Sequence, residues 1–108
     1  MRKDQRITFE RRIRADDGMG GGVRSWTAIG QAQATADWIG GGETTRQGAL
    51  REGVRYRFTV WSRAVSALEL TTADRIVWNG ETFNIRERPR PQPGKADCAI
   101  VAEAGVTQ

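Results

Sequence analysis

The sequence has no histidine and a single cysteine, Cys98, among its 108 residues. Without imidazole, the usual activator of a serine or cysteine nucleophile is missing, and so is the commonest zinc ligand. One cysteine excludes an intramolecular disulfide, so a reducing cytoplasm is the expected setting. No apolar run approaches the roughly 20 residues that span a bilayer, and no membrane contact is expected. The first residues are basic but lead into alternating sequence, without the continuous apolar stretch of a signal peptide. Cys98 reads as a small buried apolar side chain. Asp16-Asp17 lies in a glycine-rich stretch, where turn chemistry outweighs metal binding, and Glu43 stands apart from it. Neither Gly20-Gly21-Gly22 nor Gly40-Gly41-Gly42 is followed by the Lys-Ser/Thr of a phosphate loop. The residues therefore point away from an enzyme, and no cofactor is expected.

What is present favours short strands. Thirteen glycines, with Val, Ile and Thr all outnumbering Leu, suit strands and turns better than long helices. With 38% hydrophobic residues the chain can bury one modest core, a single domain over 1–108. The formal charge is +4, and residues 1–14 carry all of it, with six basic and two acidic side chains. Beyond residue 14 the charges balance. Fifteen of the seventeen basic residues are arginine, which suits planar, bidentate contacts to carboxylate or phosphate.

The clearest local signal lies at residues 74–86. Asn79-Gly80, set between two short apolar-rich runs, predicts a two-residue type I′ hairpin loop. That loop fixes the register: Trp78 opposite Glu81, Ile76 opposite Phe83, Asp74 opposite Ile85. Ile76, Trp78, Phe83 and Ile85 then share a core-seeking face, and Arg75, Val77, Thr82, Asn84 and Arg86 share the other.

Residues 5–14 alternate Ile7, Phe9, Arg11 and Ile13 against Arg6, Thr8, Glu10 and Arg12, a half-buried strand in which Arg11 is the misfit. A glycine-rich turn follows, and a strand resumes at 23–29. Gly30 predicts a bulge before a strand at 31–39, which places Ala32, Ala34, Ala36 and Trp38 on one face. Three alanines in line imply close approach by a bulky layer. Residues 40–53 lack periodicity, and 43–51 can form a short helix despite Gly48. Residues 54–63 give the cleanest strand, with Val54, Tyr56, Phe58 and Val60 inward. Residues 64–72 read as a connection. Pro89, Pro91 and Pro93 predict a stiff exposed link outside any ladder. Residues 96–103 form the last strand, with Cys98, Ile100 and Ala102 on one side. The expected fold is all-β, a small barrel or sandwich of about six to seven strands with one long excursion.

Arg55, Arg57, Trp61 and Arg63 make a basic strand face with an interleaved aromatic. It reads either as an interface to a neighbouring subunit or as a platform for single-stranded nucleic acid. The plainer class, a solvated or subunit-facing sheet, outweighs the second.

In order along the chain, Arg6-Ile7-Thr8-Phe9-Glu10-Arg11-Arg12, Asp17-Gly18, Gly22-Val23, Ser25-Trp26, Ala36-Asp37-Trp38, Arg57-Phe58-Thr59-Val60 and the hairpin from Asp74 to Ile85 make a pattern. It resembles the head–tail joining (head-completion, or stopper) proteins of long-tailed phages and gene transfer agents. The resemblance implies a β-barrel-like subunit of a homo-oligomeric ring, a hexamer or dodecamer, in a virion assembled in the host cytoplasm. It implies a portal or adaptor ring above, tail proteins below, and double-stranded DNA passing through the centre. The excursion, here Gly40, Gly41, Gly42, Glu43, Arg46 and Arg51 among others, would face the channel or neighbouring rings. Two alternatives stay open: a monomeric basic β-domain binding single-stranded nucleic acid, and a tail-terminator or other connector ring.

Overall fold

The structure is a computed structural model and describes residues 3–16, 22–40, 53–92, 94 and 96–104. These form strands β1 (Gln5–Asp16), β2 (Gly22–Gly40), β3 (Val54–Trp61), β4 (Arg75–Trp78), β5 (Glu81–Ile85), β6 (Arg90–Pro91) and β7 (Asp97–Ala104). One short helix, α1 (Ser62–Val65), runs into a 3-10 turn at Ser66–Leu68. The excursion at 41–52, with its expected helix, lies outside the described residues.

The β4–β5 hairpin has the predicted register, Ile76 opposite Phe83 and Trp78 opposite Glu81. Both loop residues take positive φ, 54° at Asn79 and 79° at Gly80. A β-branched side chain tolerates that region poorly. We expect Gly80→Val to cost about 1 kcal/mol or more. Gly40→Val should cost less, because a Cβ at Gly40 meets nothing within 4 Å. Equal melting temperatures for the two variants would contradict this account of the turn.

Strands pair antiparallel in the order β3-β2-β1-β4-β5-β7, and β3 pairs again with β7, so six strands close into a barrel. Closure removes the free edges that an open sheet would expose. Alternation along each strand fills the interior. Ile7, Phe9, Ala34, Phe58, Val60, Ile76, Phe83, Ile85, Ile100 and Ala102 are all buried there, and Val65 and Leu70 from the segment after β3 join them. Each large apolar side chain so buried contributes about 1.5–3 kcal/mol. Ala32 and Ala34 do face bulky side chains, but these belong to the same closed barrel rather than to a second layer. Tyr56, Phe58, Trp78 and Phe83 form an aromatic cluster with ring centroids 5.0–6.0 Å apart.

Three local readings are corrected. The segment after β3 is not a plain connection, because it holds α1 and the 3-10 turn whose Val65 and neighbouring Leu70 pack into the core. The two strands expected at 23–29 and 31–39 are one continuous β2. The bulge expected at Gly30 is present within it and falls at Ile29, since Phe9 faces Gly30 while Glu10 faces Ala28. The proline-rich link does enter a ladder, as β6 pairs with β7. The reason is the spacing. Gln92 N–H donates to the Asp97 carbonyl at 3.0 Å, so the even positions face β7. Pro89 and Pro91 at odd positions lose only donors that would point outward.

Candidate interaction surface

Beyond the barrel, residues 11–16 of β1 pair only with 22–27 of β2, making a two-stranded arm. Where the arm leaves the barrel, the misfit Arg11 finds its purpose. Its Nε donates to Asp74 Oδ1 at 2.9 Å, and its Nη2 donates to Oδ2 at 3.0 Å and to the Leu68 carbonyl at 2.7 Å. Asp74 is only 1% exposed and also accepts the Thr71 backbone N–H at 3.0 Å. The hydrogen bond to Asp74 raises the Arg11 pKa further above its ordinary value, so the guanidinium stays charged. On the arm's other face Trp26 lies between two guanidinium groups, with Arg75 at 4.0 Å and Arg12 at 5.0 Å from its ring centroid. Arg75 is in turn held by Glu10 at 2.7 Å.

Of the residues expected at an interface, Arg55, Arg57 and Trp61 share the outward face of β3, and Arg63 follows on α1. The face is neutralised by its neighbours only at Arg55. Glu103 on β7, itself buried, accepts from Arg86 at 2.9 Å and from Arg55 at 3.4 Å. A Cβ at Gly53 would meet Glu103 Oε2 at 2.6 Å and the Ala104 carbonyl at 2.7 Å, so glycine is needed where the chain enters β3. Trp61 is flanked by Lys3 at 3.9 Å and Arg63 at 5.7 Å, and Lys3 also meets Asp97 at 2.8 Å. Arg57 and Arg63 are both exposed and without an ion pair among the described residues.

The sequence reading missed a further surface. Trp38 shares a face with Ala32, Ala34 and Ala36, yet it is 59% exposed with exposed Ile39 beside it. Both lie at the end of β2, past the buried layer and at a second bulge between Trp38 and Gly40. Period two names the face but cannot say where the barrel stops. Gly40 ends β2; Gly41, Gly42, Glu43, Arg46 and Arg51 lie outside the described residues. Ile13 on the arm and Trp61 on β3 are exposed apolar side chains as well. Cys98 is buried, and desolvation raises its thiol pKa, so it is a poor nucleophile. No cluster of metal-binding side chains occurs among the described residues, and no helix among them is long and apolar enough to cross a membrane.

The sequence matches the family described as phage head completion protein over residues 2–105. The fold is similar to a chain from the virion of a native gene transfer agent particle, with a TM-score of 0.69 and 20% identity over 96% of both chains. It is equally similar to the solution structure of protein SF1141 from Shigella flexneri 2a, with a TM-score of 0.69 and 21% identity over 96% of this chain and 94% of that one. Comparison with curated proteins finds no match.

Proposed function

The chain belongs to the phage head completion protein family, a family of structural virion proteins, and from that premise we propose that it is a connector subunit. In this reading copies assemble as a ring at the head–tail interface and close or bridge the capsid once DNA is packaged. The portal or adaptor ring lies on one side and tail proteins on the other.

One observation carries the ring reading. Exposed apolar side chains lie at the two ends of the β1–β2 ladder: Ile13 of β1 sits opposite Ser25 on the arm, and Trp38 with Ile39 lies at the far end of β2. At about 3.3 Å per residue the two patches are separated by roughly 40 Å of strand. Two different apolar spots at opposite ends suit head-to-tail contacts between successive copies. The single-stranded nucleic acid reading needs an aromatic open to bases. Trp61, the aromatic on the Arg55 and Arg57 face, is 41% exposed, but Lys3 and Arg63 flank its ring.

The test is native mass of the purified chain, alone and with the ring beneath which it would dock. A hexamer or dodecamer is expected. Trp38→Ser should weaken that assembly more than tenfold while shifting stability by under about 0.5 kcal/mol, because the side chain lies mostly in water. A monomer that joins no ring would end the connector reading, and loss of folding in Trp38→Ser would end the role given to Trp38.

A further inference from the structure

A groove of about 510 Å³ runs along the outside of the barrel, lined by Arg57, Glu87, Arg90, Gln92, Ala99 and Val101. Its floor is β7, with half-buried Ala99 and Val101 facing outward between the neighbouring strands. One wall is Arg57 on β3, directly opposite Val101 and without an ion pair among the described residues. The other is Arg90 on β6, directly opposite Ala99. Among the described residues Arg90 is held only by Glu87 at 3.4 Å, both side chains being more than half exposed. Such an exposed pair is weak and exchanges readily with an incoming carboxylate.

We infer that this groove takes an acidic polypeptide segment of a neighbouring virion protein, with Arg57 as its anchor. The inference rests on the connector reading. An apolar floor between two arginine walls fits an apolar side chain flanked by carboxylates, each of which a guanidinium can bind bidentately. The contact would be made by side chains, because Pro89 and Pro91 remove N–H donors from the outer edge of β6 and leave little ladder for an added strand. A phosphate backbone fits less well. The floor of Ala99 and Val101 accepts an apolar side chain but offers a phosphate chain no donor.

The test uses the full chain and fluorescence anisotropy with two probes, a labelled peptide of alternating glutamate and leucine and a thymidine oligonucleotide of equal charge. The peptide should bind more tightly. Arg57→Gln should weaken peptide binding at least tenfold, whereas Arg6→Gln, an exposed arginine on β1, should change it less than twofold. Unchanged melting temperatures would show that both variants fold. Equal losses from the two substitutions, tighter binding of the oligonucleotide, or no peptide binding would each overturn the inference. If native mass still gives a ring in that event, the groove assignment alone fails.

Discussion

Asp74→Ala should lower stability by about 3 kcal/mol, a drop of roughly 12 °C or more in melting temperature for a domain of this size. The carboxylate accepts two hydrogen bonds from Arg11 and one from the Thr71 backbone, and it is almost wholly removed from water. Alanine leaves the guanidinium with only the Leu68 and Glu69 carbonyls, at 2.7 and 3.4 Å. Breaking a buried pair by removing one member costs about 3–5 kcal/mol, because the other charge is stranded. The Arg11 side chain keeps 37% exposure, so water recovers part of the loss and the lower end applies. Asp74→Asn should fall between, since its carbonyl oxygen can still accept from Thr71. Thermal melts of the three proteins by circular dichroism make the comparison. A loss below about 1 kcal/mol for Asp74→Ala would mean that the pair does not hold the base of the arm to the barrel.

Phe58→Ala should cost as much or more, about 3–5 kcal/mol. Phe58 is fully buried, with the rings of Phe83, Trp78 and Tyr56 at 5.5, 5.6 and 6.0 Å. Removing it opens a cavity inside a closed barrel, where strands paired on both sides cannot collapse to fill it. Against a typical total of 5–15 kcal/mol, such a loss leaves little reserve. Phe58→Leu refills most of the volume and should recover more than half of the stability. Urea unfolding followed by tryptophan emission gives both numbers. If the leucine and alanine variants unfold at the same urea concentration, cavity formation is not what the substitution costs.

The two residues differ in how far they could be foreseen. Phe58 was legible as core because it sits in a strand of unbroken period two, Val54, Tyr56, Phe58 and Val60. Asp74 was placed opposite Ile85 by the hairpin register, but nothing local said that it would be buried. The only hint was Arg11, a charged side chain on an otherwise apolar face. Its partner lies 63 residues away. Trp38 carried the opposite message, an aromatic on a core-seeking face that proves to stand in water. The basic face behaved in the same way. Arg55 and Arg57 were correctly placed side by side, yet Glu103 partners one of them and not the other.

By itself the sequence determined the turn and the strands whose pattern is set by neighbours in the chain. The Asn79-Gly80 turn, its register and the alternation of β1, β3 and β7 follow from backbone sterics and from a two-residue repeat. Tertiary structure alone decided that β3 returns to β7 and closes the barrel, that β6 uses the donor-bearing side of a proline-rich segment, and which charges meet. Those outcomes depend on strands far apart in sequence coming into register. Closure sets where the interior ends, and that boundary makes Trp38 a surface and Asp74 a buried charge.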